Sequence, residues 1–309
     1  MMKPILLAAL LSTLSLNPLM ADVAPMPSEV DWHGLHADKD RNESVRMAWE
    51  IVDLTPGKTK NLCRVEFSMV NDGDKPCTFE VGFPSLFDKE LKDFKVEVDG
   101  KPQMFKVKKL GSQAMTLDGK EEIKDSTDER LKQVGNFRSW LCWDMTFAPK
   151  QEVKIVVSYW TEPEAKWYAV RGPRYRGDVH EAHIATGTGT RWVEYILQTG
   201  AGWKGAIGKA TLRIHHTEIP VEQFEQKPSA WEGGKSVMWN YDAATKISSH
   251  TYTELEPTKY HNIIAEYRIS TVAEELEALK KYAKEKSCDE DLTEYLQDLE
   301  KEVAQNKSQ

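Results

Sequence analysis

The chain is 309 residues long, carries a formal net charge of −8 and holds four cysteines and ten tryptophans. An acidic balance of this kind argues against a phosphate-backbone partner, which needs a basic face, so no nucleic acid is expected. The cysteines include no C-x-x-C pair, which removes a thioredoxin-like site and a ribbon-type zinc site.

Residues 1–21 read as a secretory signal peptide. Lys3 precedes an apolar stretch from Pro4 to about Leu16, and Ala21 puts a small residue before polar sequence. Ser12 and Ser15 interrupt that stretch, which is short for the ~30 Å hydrocarbon core of a bilayer. No later run approaches ~18 apolar residues, so no transmembrane segment is expected after cleavage. The expected location is outside the cytoplasm, in the periplasm or the extracellular space. Removing Lys3 with the leader takes the net charge from −8 to −9.

Residues 22–43 form an irregular, proline-containing lead-in. Period two then governs 44–160, the expected first β-sandwich domain. In the run 62–70, Cys63, Val65, Phe67 and Met69 face one way, and Cys77, Phe79, Val81 and Phe83 alternate in phase after them. One hairpin is expected over the polar turn 71–75 and another around Asp99-Gly100. The first would leave Cys63 and Cys77 ~20 Å apart, beyond disulfide reach. These thiols read as core residues, or as paired elsewhere, for example with Cys142. The charged stretch 117–135 reads as a short helix on an insertion, and strands return between Phe137 and Trp160.

Residues 161–190, rich in Pro, Gly and Arg, read as a linker or long loop. A second β domain is expected over 191–270. The tail, 271–309, changes period. Thr271 with Glu274, and Ser287 with Glu290, have capping-box spacing. Leu292, Tyr295, Leu296, Leu299 and Val303 then make one helical stripe. The fold class is therefore mainly β: two antiparallel β-sandwich-like regions followed by a C-terminal α-helical hairpin. The hairpin either covers a sheet or docks a protein partner through its stripe.

The stretch "GAGWKG" (200–205) has G-x-G-x-x-G spacing, but the residues after it do not suit a nucleotide. A dinucleotide site needs a helix N-terminus after the glycines. Here Ala210, Leu212 and Ile214 alternate with Thr211, Arg213 and His215, which is the period of a strand. A Walker reading fails too, because Ala210 stands where Ser or Thr must hold magnesium. The glycines instead permit a tight loop from which Trp203 packs back onto the sheet.

The same stretch carries a resemblance. Thr199, Gly200, Trp203, Gly205, Ile207 and Gly208 resemble the signature of an uncharacterised family of exported bacterial proteins, domain of unknown function 4424. Residues 65–84 and "VDGKP" (98–102) are similar to earlier elements of that family, so the resemblance spans about 65–215. It implies a β-rich extracytoplasmic protein and brings no catalytic residues with it.

Three further sets of residues carry possible chemistry. His180 and His183, with Asp178 beside them, have a spacing that zinc would accept on a helix. Trp167, Tyr168 and Tyr175 lie in the Arg- and Gly-rich loop and, with Trp203, are the expected ligand-binding aromatics. Nucleophilic catalysis has little support, since neither G-x-S-x-G nor S-x-x-K occurs. The reading that fits best is an exported, non-catalytic binding or envelope-associated β-protein, with an envelope protein or glycan as partner. The alternatives are a hydrolase or metal-dependent enzyme using the 178–183 cluster, and a structural protein docking through its C-terminal helices.

Overall fold

A computed structural model of the chain describes residues 24–25, 44–86, 91–109, 137–165, 178–286 and 290–306. The first half of the protein supplies β1 (Ala24–Pro25), β2 (Val45–Thr55), β3 (Asn61–Asn71), β4 (Cys77–Leu86), β5 (Lys92–Val98), β6 (Lys101–Pro102), β7 (Lys106–Lys109), β8 (Phe137–Phe147), β9 (Glu152–Thr161) and β10 (Glu164–Ala165). The second half opens with the helix α1 (Asp178–Thr186), then β11 (Thr190–Tyr195), β12 (Ile207–His215), β13 (Ser229–Glu232), β14 (Lys235–Met238), β15 (Asn240–Asp242), β16 (Ile247–Leu255) and β17 (Ile263–Arg268). Two helices close it, α2 (Val272–Glu285) and α3 (Glu290–Asn306).

The protein is mainly β with a C-terminal helical hairpin. Among the described residues, the largest sheet has eight strands in the order β15-β16-β12-β2-β3-β9-β5-β6. A four-stranded sheet, β1-β4-β8-β7, faces it. Alternation drives this packing. Val52, Val65, Phe67, Ile155 and Val157 project from the large sheet, Val81, Phe83, Met145 and Phe147 from the small one, and all are buried in one core. Phe83 meets Phe94 at 5.6 Å and Tyr159 at 5.5 Å between ring centroids, across the two layers. Each such fully buried large side chain contributes roughly 1.5–3 kcal/mol of transfer free energy.

Strands from both expected β regions share the large sheet. β12 lies parallel to β2, with Ala210 beside Glu50 and Ile214 beside Leu54. The second-half strands are therefore hydrogen-bonded into the first-half sheet, and their apolar residues join the same core. The three-stranded sheet β10-β11-β17 and the ribbon β13-β14 are built on this body.

The turn after β3 differs from its sequence expectation. β3 pairs with β2 and β9, whereas β4 pairs with β8 and β1. Residues 72–76 thus cross between sheets and do not form a hairpin. Buried Asn71 fixes the corner: its Nδ2 donates to the carbonyls of Lys75 at 2.9 Å, Ala148 at 3.1 Å and Phe147 at 3.2 Å. Asp99-Gly100 does make the expected hairpin, with both residues at positive φ (50° and 73°) and Val98 opposite Lys101. Cys63, Cys77 and Cys142 are thiols, and burial pushes Cys63 up to about 12. Cys288, the charged stretch 117–135 and most of the lead-in lie outside the described residues.

The helical tail uses its stripe internally. Leu276 and Leu279 of α2 and Leu292, Tyr295 and Leu299 of α3 form one buried cluster with Val179 and Ala182 of α1. Leu296 and Val303 pack partly against it. Thr271 caps α2 as its spacing predicts: Thr271 N–H donates to Glu274 Oε2 at 2.8 Å, and Glu274 N–H to Thr271 Oγ1 at 3.2 Å. The segment expected as a loop therefore contains a helix, α1, whose apolar face exists to meet the hairpin. Among the described residues, no helix is long and apolar enough to cross a membrane.

Candidate functional site

An aromatic cleft lies on the second half of the molecule, and three local structures build it. The ribbon β13-β14 turns at Gly233-Gly234, both at positive φ (55° and 84°), the backbone that a two-residue hairpin turn of this kind demands. Buried Ala230 anchors the ribbon, and the next residue, Trp231, is turned outward and is 37% exposed. Trp231 N–H donates to the Tyr252 hydroxyl of β16 at 3.1 Å, and that hydroxyl lies 3.4 Å from the Trp231 carbonyl. Main-chain bonds thus set the position of the indole.

The third structure is a 3-10 turn at Lys259–His261 capped by Thr258. His261 replaces the usual Glu of a capping box: Thr258 N–H donates to His261 Nδ1 at 2.9 Å. The intervening Tyr260 projects outward, 59% exposed, and stacks on Trp231 with centroids 5.6 Å apart and planes 26° apart. Behind this pair, Tyr252 meets His261 edge-on at 5.4 Å and His250 at 4.5 Å. His250 Nε2 lies 2.9 Å from Glu232 Oε1. The cleft so formed has a volume of about 280 Å³ and is lined by Trp231, Glu232, Gly233, Thr251, Tyr252, Thr253 and His261.

Its electrostatics are simple. Burial lowers the His261 imidazole below the usual histidine range, partly opposed by the Thr258 backbone bond, so the ring is neutral at pH 7. Because Nδ1 accepts from the backbone, the proton of the neutral ring sits on Nε2, which is then a donor. Burial also raises the Tyr252 phenol. The cleft therefore offers a π face, a histidine donor and one carboxylate. Glu232 is the one carboxylate among its described lining residues.

The glycine-rich signature builds something different. Its loop is a 3-10 turn, Gln198–Gly202, that leads into strand β12 and not into an anion-binding helix. Trp203 is buried and packs against Phe79 at 5.7 Å. A Cβ on Gly208 would stand 2.5 Å from the Ala48 carbonyl oxygen, so glycine is needed for β2 to come this close. At that point β2 bulges, with a register shift between Met47 and Trp49. The extra residue turns Glu50 into the core beside Val52 and Leu54. Tyr195 of β11 donates its hydroxyl to Glu50 Oε1 at 2.7 Å. Burial pushes Glu50 up to about 8, opposed by the Tyr195 bond, so it is mostly a neutral acid at pH 7.

The histidine pair lies on α1. His183 is buried. Thr186 donates its hydroxyl to the Ala182 carbonyl at 2.6 Å, which leaves Thr188 to donate to Thr186 at 2.8 Å. Thr188 Oγ1 then accepts from His183 Nδ1 at 3.0 Å. His183 Nε2 points toward Glu275 Oε1, 3.8 Å away, and the ring meets Tyr295 edge-on at 5.4 Å. Tyr295 donates to the same Glu275 oxygen. Burial, then Arg191 and Arg268, pull His183 down to about 3, so it is uncharged. His180 is half-buried on the same helix, and Asp178 opens it. Among the described residues, no three His, Cys, Asp or Glu side chains converge to hold a metal.

Of the aromatics singled out from sequence, Trp203 is a core residue, and Trp167, Tyr168 and Tyr175 lie outside the described residues. Sequence reasoning missed Trp231, Tyr252, Tyr260 and His261. The one available signal was "AWEGGKSVMW" (230–239), a tight glycine hairpin between two tryptophans.

Residues 174–221 match the family described as domain of unknown function (DUF4424). That match covers the helix α1, β11, the glycine loop and β12, and it supports the resemblance carried by Thr199 to Gly208. No curated protein matches the chain. Among solved structures, a candidate nutrient-binding protein from Legionella pneumophila is similar at 15% identity and a TM-score of 0.47, over 83% of this chain and 79% of that one. An M1 zinc metallopeptidase from Deinococcus radiodurans is similar at 10% identity and a TM-score of 0.31, over 72% of this chain and 42% of that one.

Proposed function

We propose that this chain is an exported, non-catalytic binding protein whose ligand sits in the cleft lined by Trp231, Glu232, Tyr252 and His261. The observation that carries this reading is the outward-facing Trp231–Tyr260 stack, held in place by backbone hydrogen bonds and bordered by polar groups. The partly exposed indole of Trp231 lines the cleft beside the Glu232 carboxylate and the His261 imidazole, an apolar face with polar groups at its edge. Export rests on the leader sequence ending near Ala21.

Thermal unfolding of the mature chain against fractions of a cell-envelope extract tests the proposal. A ligand of the folded state raises Tm in a concentration-dependent way. The expected result is a rise with one fraction that is absent in Trp231→Ala. A rise unaffected by that substitution, or a zinc-dependent rise lost in His183→Ala, contradicts it. Recovery of an uncleaved chain from the cytoplasm contradicts the export half.

A further inference from the structure

We infer that the cleft recognises a neutral sugar ring of a longer glycan, an inference that rests on the binding role just proposed. Four features point to this class. First, the partly exposed indole of Trp231 lines the cleft and is backed by Tyr260, stacked on it with the planes 26° apart, so that a single flat aromatic ring is held in place there. A quaternary ammonium is held by rings placed around it, which this pair does not provide. A pyranose needs one flat aromatic face against the C–H groups of its ring. Second, the border of the platform is made for hydroxyl groups. Glu232 accepts and His261 Nε2 donates.

Third, the charge pattern disfavours an anion. No Lys or Arg is among its described lining residues, and the chain as a whole carries a net charge of −8. A nucleotide or phosphorylated ligand would meet a carboxylate with no compensating cation. Fourth, the volume is about 280 Å³, just under the ~300–1,000 Å³ of pockets that enclose a whole small molecule. A cleft of this size grips one ring and leaves the remainder of the chain in solvent.

The test uses the full mature protein with four probes: maltotriose, cellotriose, the trisaccharide of N-acetylglucosamine, and tetramethylammonium. Saturation-transfer NMR from the aromatic protons and tryptophan fluorescence report binding. The expected result is saturable binding of at least one trisaccharide, weakened tenfold or more in Trp231→Ala and partly restored in Trp231→Phe. Glu232→Gln, whose amide oxygen still accepts, should stay within a few-fold of the parent. Circular dichroism and Tm of each variant separate lost binding from lost folding.

Tetramethylammonium binding that falls in both Trp231→Ala and Glu232→Gln, with no trisaccharide binding, overturns the sugar inference and leaves the cleft as a binding site. Trisaccharide binding indifferent to Trp231→Ala overturns the inference as well. If neither the probes nor the envelope fractions respond to the loss of Trp231, the binding role falls with it.

Discussion

The signature segment and the aromatic cleft make opposite use of the same residue types. Within 174–221, Tyr195, His183 and Trp203 turn inward, at 0%, 3% and 4% exposed. In the cleft, Trp231 is 37% and Tyr260 59% exposed. The signature glycines let a parallel strand pair close up around a bulge, and Tyr195 answers the carboxyl group that the bulge turns inward. The cleft glycines only turn a ribbon whose tip is open to solvent. The segment that matches the domain of unknown function is thus architectural, and the candidate cleft lies beyond it in sequence. A motif can mark where a fold is hardest to build and not where it acts.

This contrast can be broken in order of expected effect. Gly208→Ala puts a Cβ against the Ala48 carbonyl, which cannot move without disturbing the β2–β12 pair. A loss of about 3 kcal/mol is expected in denaturant unfolding, and a loss below the error of the measurement would remove the close-approach account. Tyr195→Phe leaves Glu50 Oε1 buried without its donor and should cost about 2 kcal/mol. An unchanged midpoint would mean that the bond contributes nothing.

Glu50→Gln reads the same site through pH. The folded-state value of about 8 lies above the unfolded one of 4.5, so the folded form holds the extra proton between them. The contribution of Glu50 is fully present below pH 4.5 and is lost as pH rises through about 8. The variant does not titrate, so its stability relative to the parent should improve from pH 5 to about pH 8 and level off above it. A constant difference across that range would show that Glu50 ionises normally. The smallest effect on stability belongs to Trp231→Ala, at most about 1 kcal/mol, because the indole is partly solvated. A larger loss would make Trp231 a packing residue like Trp203 and erase the contrast.

Much of the architecture was legible in the sequence because period two and period 3.6 are local signals. The strands flanking Cys63 and Cys77, the Asp99-Gly100 turn and the Thr271 cap all appear as read. Which strands pair was not legible. Alternation is identical whether Asn71 leads into a hairpin or into a crossing between sheets, and the deciding hydrogen bonds reach residues 147 and 148. The helix α1 was hidden for a related reason: Val179 and Ala182 become an apolar face only against Leu279 and Leu292. The candidate site was less legible still. Ten tryptophans look alike in sequence, and Trp231 owes its exposure to bonds from Tyr252 and to stacking with Tyr260.

The most direct measurement is fluorine NMR of the 5-fluorotryptophan-labelled protein, with Trp231 and Trp203 assigned by substitution to Phe, titrated with the envelope fraction that raises Tm. The account predicts that the Trp231 resonance moves with saturation while that of buried Trp203 stays fixed. A shift at Trp203 with Trp231 unmoved would contradict it, and would place the ligand at the signature instead of the cleft.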